Sequence, residues 1–409
     1  MEIFYIFAGL TLLGLIAYGL QIWAVRSTLK SKHHKKTIEE SAYSLVPTAY
    51  HPPISILKPL KGLDDNLFDN LESFCTQDYP KYEIIFALQN HNDPAYKVAK
   101  KIKDKYPDRD ISIIVERCDD GLNPKVNNLI PAYKASKYPY ILVSDSNVMV
   151  DNKYMRETIK HMEDPEVGLV SNIVKGVRGN TIGSIFENLH MNTFILGGVC
   201  SLNKFLKMPC VVGKSMLMRR GDLEAIGGFK SVKDVLAEDY IIGRKMHKRG
   251  RKVILSNYII RNVNEYWGLK KFLNRHTRWG KLRWKIGGIR YFAELINNAI
   301  LMSLLPIFLW EPSKITISFA LLTCLIKISG DLYLGKKTGA ELNPFLYLLS
   351  PVKDLVIGLI WFVPILSNTV VWRGNRYIIR RDSMLSPYPE TGLWSWRYRL
   401  VNAIKARLV

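Results

Sequence analysis

Cysteine is scarce in this sequence, and acidic residues are heavily outnumbered by basic ones. The five cysteines among 409 residues are odd in number, lie far apart and never form a CxxC pair. That pattern excludes a disulfide framework and a zinc site of the usual spacing, and it fits a reducing compartment. The 36 Asp and Glu residues face 58 Lys and Arg residues, which gives a net charge of +22. A surplus of this size calls for a polyanionic partner.

Nucleic-acid-binding motifs are missing as well. No zinc-finger spacing and no RRM signature accompanies the basic runs. Instead, these runs border apolar segments: the run at 26–36 follows the first, the run at 275–290 precedes the second, and the run at 373–381 follows the last. Positive charge beside apolar segments is typical of the cytoplasmic side of a membrane protein. We therefore expect a phospholipid bilayer, and no nucleic acid, as the partner of this charge.

The first apolar segment, at 3–25, has no charged residue and is long enough to cross a bilayer. A signal peptide has a shorter apolar region that follows its positive charge, whereas here the positive charge comes afterwards. The segment therefore predicts a retained helix with its N-terminus outside.

Apolar content rises again at 295–310, 315–328 and 342–372. The last stretch is about twice the length of a minimal span and is broken at 350–354 (SPVKD). As a single span it would carry the basic tail outside, against the positive-inside rule, whereas a re-entrant segment plus a span would resolve that conflict. The sequence leaves the number of spans open.

Short apolar runs rich in β-branched residues alternate with amphipathic stretches between Pro53 and about Val263. We predict strands at 54–57, 82–88, 111–115, 140–144 and 167–171, and helices at 65–76, 94–105 and 124–135. This alternation indicates an α/β domain with a mostly parallel sheet, whose ligand lies at the C-terminal ends of the strands.

Polar residues next to the predicted strands are candidates for a site. Asp93 is suited to accept hydrogen bonds from a nucleobase or ribose, although Asp before Pro is also a common helix N-cap. Asp145 is suited to hold a divalent cation against a diphosphate, with a turn or capping aspartate as the alternative. Lys125 lies in the first turn of a predicted helix, where charge and free N–H groups favour phosphate, and a solvated lysine is the alternative.

Two further motifs follow in order. Asp239 stands beside Glu238 in an apolar and basic context, and Arg275, Arg278 and Trp279 form an RxxRW sequence just before the membrane segments. With Asp93 and Asp145, they resemble the D, D, D, (Q/R)xxRW pattern of the inverting family-2-like glycosyltransferases.

Five segments sharpen the resemblance. They are similar to the ceramide glucosyltransferases of glycosyltransferase family 21, including bacterial homologues thought to glycosylate hopanoids: 55–62 (SILKPLKG), 78–83 (DYPKYE), 91–95 (HNDPA), 123–128 (NPKVNN) and 237–240 (AEDY). The similarity runs from about Ser55 to Trp279 and returns at 372–377. It implies a GT-A fold, which is a Rossmann-like nucleotide-diphospho-sugar transferase fold, a UDP-sugar donor, a lipid acceptor and inversion at the anomeric carbon.

The resemblance also implies roles for individual residues: Lys58 and Asp93 bind the uridine end of the donor, Lys125 its phosphate region, Asp145 holds Mg²⁺ or Mn²⁺, Asp239 is the catalytic base, and Arg275, Arg278 and Trp279 hold the leaving diphosphate and the sugar–acceptor junction. One departure weakens the metal contact. Many such enzymes have Asp-x-Asp where this chain has Asp145-Ser146-Asn147, and a side-chain amide is a poorer metal ligand than a carboxylate.

The predicted organisation has six parts: an N-terminal transmembrane helix at 1–26, a basic juxtamembrane linker at 27–52, a GT-A catalytic domain at 53–265, an interfacial helix with the RxxRW motif at 266–292, a C-terminal transmembrane region at 293–372 and a basic cytoplasmic tail at 373–409. The expected location is a membrane crossed several times, the bacterial inner membrane or the Golgi or ER of a eukaryote, with the catalytic domain facing the cytoplasm.

The leading functional hypothesis is transfer of a sugar, glucose by the resemblance, from a UDP-sugar to a membrane lipid such as ceramide. A hopanoid or other bacterial lipid (N-acetyl)hexosaminyltransferase is one alternative. A processive polysaccharide synthase is another, although such enzymes usually have Gln at the position of Arg275 and more spans. A non-catalytic membrane lipid-binding scaffold is the third. The sugar, the acceptor lipid and the oligomeric state stay open.

Overall fold

The computed structural model describes residues 2–30, 50–208, 210–309, 312–372 and 375–388. Much of the predicted basic linker and tail, at 31–49 and 389–409, lies outside the described residues. The strands are β1 Ile54–Pro59, β2 Tyr82–Leu88, β3 Ile111–Val115, β4 Tyr140–Ser144, β5 Val148–Met149, β6 Val167–Val177, β7 Ser215–Arg219, β8 Lys252–Val263, β9 Thr369–Trp372, β10 Asn375–Ile379 and β11 Leu385–Pro387.

The α-helices are α1 Glu2–Lys30, α2 Leu67–Cys75, α3 Pro94–Lys105, α4 Pro124–Ala135, α5 Tyr154–Ile159, α6 Ile182–His190, α7 Leu196–Leu206, α8 Arg220–Ala225, α9 Glu238–Lys248, α10 Leu269–Gly287, α11 Phe292–Ile296, α12 Ala299–Leu309, α13 Lys314–Thr338, α14 Ser350–Ile360 and α15 Val363–Leu366. A π-helical turn, Met191–Ile195, joins α6 to α7. We call the part of the chain at 50–265 the sheet domain.

Eight strands form the main sheet, in the order β3-β2-β1-β4-β7-β6-β8-β5. The sheet confirms the predicted α/β class, but it is mixed rather than mostly parallel. The first four strands are parallel, and β7 then runs antiparallel to both of its neighbours, β4 and β6. Composition and periodicity carry no information on strand direction, and the strands β7 and β8 were missed in the sequence. The reversal at β7 brings the loop before it to the carboxyl end of β4.

Helices cover both faces of the sheet, and successive side chains of a strand point alternately into the two resulting cores. Along β2, Ile84 and Phe86 join the core under α2, α3 and α5, whereas Ile85 and Ala87 join the core under α4 and α9. Strands buried on both faces read as continuous apolar runs, which is why the sequence revealed them. The helices α3 and α4 begin where expected, because a polar cap is followed by proline in each case.

Three helical segments in the described chain are long and apolar enough to cross a membrane: Phe4–Lys30, Lys314–Thr338 and Pro344–Leu366. The bent pair Leu269–Ile296 and Ala299–Leu309, with 66° between its halves, is long and apolar enough only if both halves belong to one span. The segments α1 and α13 run in the same direction, since the Phe4 and Phe319 rings lie 5.8 Å apart and the Tyr18 hydroxyl donates to Asp331 at 2.6 Å. The bend of the pair lies beside Gly14, at the middle of α1.

The segment Pro344–Leu366 begins and ends next to the sheet domain. Before it, the Lys175 ammonium donates to the Gly339 carbonyl at 2.6 Å. After it, the chain enters a small sheet of β9, β10 and β11, and the backbone N–H of Leu236 donates to the Ser383 carbonyl at 2.9 Å. At its middle, Asn298 donates to the Asp354 carbonyl at 2.7 Å. The chain before and after this segment therefore contacts the sheet domain. The small sheet was not predicted, and its first strand lies inside the expected apolar stretch at 342–372.

Candidate active site

A cavity of about 890 Å³ opens at the edge of the sheet where β1 and β4 end. Its polar wall comes from the loop after β4, the first turn of α4, the loop before β7, the start of α9 and one side of α10. These parts meet because Ser144, at the end of β4, pairs with Ser215, at the start of the antiparallel β7. The cavity therefore collects residues that lie far apart in the sequence.

Asp145 is the centre of the polar wall, and two ammonium groups neutralise it. The Lys125 Nζ lies 2.8 Å from one carboxylate oxygen, and the Lys214 Nζ lies 2.9 Å from the other. Burial alone would raise the pKa of Asp145, but the two lysines hold it well below its usual range. Asp145 is therefore ionised at neutral pH.

Lys125 is shared by several oxygen atoms. Its Nζ also lies 2.9 Å from the Glu238 carboxylate and donates to the Gly213 carbonyl at 3.1 Å. Although burial lowers the pKa of Lys125, the carboxylates of Asp145, Glu238 and Asp239 raise it above its ordinary value. The backbone N–H of Lys125 is bound by the Asn123 side chain at 2.9 Å, which caps α4. The cap fixes the helix end from which the ammonium reaches the cavity.

Asp239 lies in the first turn of α9, half-buried in the cavity wall. One of its carboxylate oxygens accepts the Gly213 backbone N–H at 2.8 Å. Burial and the neighbouring Glu238 carboxylate raise the pKa of Asp239 to about 6. Gly213 is needed for this approach, because a Cβ there would stand 2.6 Å from the Asp239 oxygen. Asp239 is thus a carboxylate with increased basicity at the rim of a cationic cluster.

Arg275, on α10, is held between two tryptophan rings. Its guanidinium carbon lies 5.0 Å from the Trp267 centroid and 4.2 Å from the Trp279 centroid. The Glu187 carboxylate, fully buried on α6, lies 3.3 Å from the Arg275 guanidinium and 2.7 Å from the His276 ring. Burial would raise the pKa of Glu187, but Arg275 and His276 lower it to about 2. The arginine is therefore fixed by both a charge and two aromatic faces.

Arg278 and Trp279 also line the cavity, one helical turn further along α10. The Arg278 guanidinium carbon lies 5.9 Å from the centroid of Trp372, a residue of β9 that lines the cavity as well. The RxxRW motif thus faces the same space as Asp145 and Asp239.

Lys58 is not in the cavity wall, in contrast to the role expected for it. Its side chain is completely buried, with the ammonium 2.8 Å from the Asp145 carbonyl and 3.7 Å from the Phe74 ring centroid. Burial lowers the pKa of Lys58 well below its ordinary value. The side chain supports the backbone of Asp145 from behind, and Lys61, in the loop after β1, lines the cavity instead.

Asp93 is the N-cap of α3, which was the alternative considered for it. Its carboxylate accepts the Ala95 backbone N–H at 2.9 Å and the Gly62 backbone N–H at 2.9 Å. The second bond holds the loop that carries Lys61. Contact with the uridine stays a prediction for this residue.

The sequence analysis did not predict four residues of the site: Lys214, Glu187, Glu238 and Trp372. Lys214 has the strongest claim, because its ammonium contacts Asp145 and also donates to the Asn147 amide oxygen at 2.7 Å. Lys214 and Asp145 are separated by 69 positions, and only the β4–β7 pairing brings them together. Glu238 was quoted with Asp239 but given no role. Glu187, the partner of Arg275, had one signal in the sequence: an acidic residue within an otherwise apolar helical segment is unusual unless it is paired.

This cavity offers few protein ligands for a divalent cation. Among the described residues, no three His, Cys, Asp or Glu side chains cluster closely enough to hold a metal ion. Asp145 and Asn147 offer oxygen atoms, and Mg²⁺ commonly uses one or two carboxylates together with substrate phosphates. Lysines already contact both Asp145 oxygens and the Asn147 oxygen. The residues therefore fit only a cation that shares its coordination with a diphosphate.

Another part of the cavity lining is apolar. It consists of Ile173, Val174, Met191, Ile195, Leu196, Val199 and Val212. These side chains come from β6, the π-helical turn, α7 and the loop before β7. The cavity is thus lined by both cationic and apolar side chains, and Asp239 is among its lining residues.

Comparison with known proteins agrees with this geometry. The family model described as "Glycosyl transferase family 21" matches residues 7–385. Ceramide glucosyltransferase 3 of Caenorhabditis elegans is 28% identical over 380 residues, which cover 88% of this chain and 78% of that protein. Ceramide glucosyltransferase of Komagataella phaffii is 32% identical over 241 residues, which cover 53% of this chain and 47% of that protein.

One solved structure with a similar chain trace is the mannosyltransferase PcManGT from Pyrobaculum calidifontis, in complex with GDP-Man and Mn²⁺. It is 15% identical, the match covers 89% of this chain and 98% of that chain, and the TM-score is 0.48.

Proposed function

Because the chain belongs to glycosyl transferase family 21 and is therefore a sugar-transferring enzyme, we propose that it moves a sugar from a UDP-sugar to the hydroxyl of a membrane lipid on the cytoplasmic side. Glucose and ceramide are proposed from the names of its relatives. The observation that carries the proposal is one cavity lined by Asp239, by cationic side chains and by apolar side chains, in a chain with helices apolar enough to span a membrane.

The cationic side chains suit a nucleotide diphosphate. Lys125, Lys214, Arg275 and Arg278 all line the same space. When the bond from the anomeric carbon to the diphosphate breaks, the electron pair leaves with the diphosphate, and fixed cations stabilise that charge in the transition state. Arginine adds planar, bidentate binding of phosphate oxygens.

Asp239 is the proposed catalytic base. The acceptor oxygen forms its bond to the anomeric carbon while its proton passes to the Asp239 carboxylate. A base with a pKa near 6 is ionised at neutral pH and more basic than an ordinary aspartate, which favours proton transfer. A single base on the side opposite the leaving group is sufficient for an inverting displacement.

We also propose that Asp145 and Asn147 hold Mg²⁺ or Mn²⁺ together with the donor diphosphate. When bound, such an ion would neutralise part of the charge of the leaving group. The support is the carboxylate and the amide oxygen at the end of β4, although an ion there has to share this position with Lys125 and Lys214.

The test is release of UDP by the purified full chain in detergent, with common UDP-sugars and a lipid extract as acceptor. Wild type should release UDP, and Asp239→Asn should lower turnover by about 10²- to 10⁴-fold with little change in UDP binding. Mass spectrometry of lipids from cells expressing either form would identify the product. No UDP release from any donor, or normal turnover by Asp239→Asn, would contradict the function or the base.

A further inference from the structure

A strip of five apolar side chains leads out of the cavity along one helix face. The strip consists of Met191, Ile195, Val199, Leu202 and Leu206, which are spaced by four, four, three and four residues. This spacing keeps them on one side of the continuous helical segment that passes from the π-helical turn into α7. The first three line the cavity, whereas Leu202 and Leu206 are exposed by 38% and 63%.

The face of α7 opposite to this apolar strip lies against the first candidate membrane span, which places the strip beside that span. The Lys204 ammonium donates to the Ser27 hydroxyl at 2.6 Å, and the Phe205 and Trp23 rings lie 5.4 Å apart. Gly197 lies so close to Gln21 that a Cβ would stand 3.0 Å from its side-chain oxygen. The helix α7 therefore packs along the last third of α1, the end nearest the sheet domain.

The inner end of the strip belongs to the apolar part of the cavity lining. Val212 belongs to that part as well, and the next residue, Gly213, donates its N–H to Asp239 at 2.8 Å. A continuous apolar path thus joins the exposed side chains of Leu202 and Leu206 to the part of the cavity beside the proposed base. Exposed Leu202, Phe205 and Leu206 are unfavourable in water but not in contact with lipid.

We propose that this strip is the acceptor subsite and that one hydrocarbon chain of the acceptor lipid lies along it while the lipid hydroxyl reaches Asp239. The inference rests on the proposed function and specifies how its acceptor binds. The occupant is a lipid with a long hydrocarbon chain and a hydroxyl head, entering from the bilayer leaflet beside the C-terminal end of α1. A water-soluble sugar acceptor has no hydrocarbon chain that could bind along this apolar path.

Two variants test the strip against a matched control. Leu202→Glu places a charge at the exposed end, and Val199→Phe narrows the path inside the cavity. Lys207→Glu adds the same negative charge at an exposed residue directly after α7, outside the strip. Transfer by the full chain is measured with a long-chain acceptor and with a short-chain, water-dispersible analogue bearing the same head group.

Both strip variants should lower the ratio of kcat/KM for the long-chain acceptor to that for the short-chain acceptor by about tenfold or more. Lys207→Glu should leave that ratio at the wild-type value, and the KM for the donor should stay the same in all three variants. An unchanged ratio in active strip variants, or an equal loss in Lys207→Glu, overturns the subsite. Wild type that transfers to neither acceptor overturns the proposed function itself.

A second measurement needs no variant and so does not depend on how well the variants fold. A long-chain acceptor with a photoreactive group in its hydrocarbon chain is cross-linked to wild type, and the attached peptide is identified by mass spectrometry. Cross-links within 191–206 support the subsite. Cross-links confined to other segments overturn it.

Discussion

At the scale of single residues, the site is a balance of charge around Asp145 and Asp239. Asp145 has two ammonium groups on its oxygens and a lowered pKa, whereas Asp239 has a carboxylate neighbour and a raised pKa. The surroundings therefore shift the pKa values of two acids in one cavity in opposite directions. That separation is the usual sign of an anchoring acid and an acid–base residue in the same site.

The raised pKa of Asp239 predicts the pH dependence of transfer. Burial and Glu238 disfavour the ionised form, so the carboxylate becomes protonated as the pH falls through about 6. A protonated carboxyl cannot accept the acceptor proton. We expect kcat/KM to level off above pH 7 and to fall about tenfold per unit well below pH 6. A profile of activity from pH 4.5 to 9 checks this, and a flat profile down to pH 4.5 would contradict it.

Lys214 gives the second prediction at this scale. Lys214→Met removes one of the two cations beside Asp145, and we expect the KM for the UDP-sugar to rise by about 10- to 100-fold, the usual range for one lost charged hydrogen bond. Steady-state kinetics with varied donor measures the effect. Lys207→Met, at an exposed lysine after α7, is the control and should keep the wild-type KM. An unchanged KM in Lys214→Met would exclude a contact with the donor.

The third prediction at this scale concerns removal of divalent cations. We expect EDTA to lower transfer strongly and Mn²⁺ or Mg²⁺ to restore it. Because an amide is a weaker ligand than a carboxylate, Asn147→Asp should lower the metal concentration that gives half-maximal activity. Full activity in EDTA would show instead that Lys125 and Lys214 supply the positive charge without a metal.

At the scale of elements, the antiparallel strand β7 and the clamp between α6 and α10 assemble the site. β7 places Gly213 and Lys214 beside the end of β4. The Glu187 carboxylate of α6 holds two side chains of α10, Arg275 and His276. Without these two interactions, Asp145, Asp239 and the RxxRW motif would follow one another in order along the sequence but would not line one cavity.

Glu187→Gln should loosen the clamp. The depressed pKa of Glu187 means that its stabilising effect is complete above the unfolded value of about 4.3 and is lost as the pH falls through about 2. At neutral pH, loss of a partner in a buried ion pair costs about 3–5 kcal/mol, so the Tm in detergent should fall clearly. The KM for the donor should also rise, because Arg275 loses its fixed position.

The control for that experiment is Glu224→Gln. Glu224 is exposed and accepts one hydrogen bond from Tyr133, so its loss should change stability by no more than about 0.5 kcal/mol. If Glu187→Gln and wild type had the same Tm at neutral pH, the contacts of Glu187 with Arg275 and His276 would not contribute to stability.

At the scale of the whole molecule, the contacts between helices indicate a topology. The helices α1 and α13 run in the same direction, and the bent pair lies between them in the chain. The segment Pro344–Leu366 starts and ends beside the sheet domain. The Lys327 ammonium ties it to α13, at 2.6 Å from Asp331 and 3.2 Å from Asp354. We therefore propose three crossings and one re-entrant segment.

Thiol labelling with a membrane-impermeant reagent checks this topology. Single cysteines at Glu341→Cys and Ser386→Cys should both react in inverted vesicles and be protected in right-side-out vesicles. Pro312→Cys should show the opposite pattern. The unsubstituted chain gives the background of its own five cysteines. Reaction of Glu341→Cys and Ser386→Cys from opposite sides would mean that the segment crosses the membrane.

Much of the fold and of the site follows from the sequence. The helices α3 and α4 and the strands β2, β3 and β4 lie at the predicted positions, because their signals, caps, proline and apolar runs, are local. Asp145, Lys125, Asp239, Arg275, Arg278 and Trp279 do line one cavity. Lys58 differs, since its motif reveals a lysine at a strand end but not that the side chain points into the core.

What the sequence by itself determined is the set of properties that depend on neighbouring residues: the apolar segments, the α/β alternation and the order of the acidic and RxxRW motifs. What only the tertiary structure decided depends on pairings between distant residues. These are the direction of β7, the contact of Lys214 with Asp145, the burial of Lys58, the clamp at Glu187 and the return of the last apolar segment to the sheet domain. The physical reason is that charge and hydropathy are properties of each residue, whereas strand direction and the partner of a charge are fixed only when separate parts of the chain pack together.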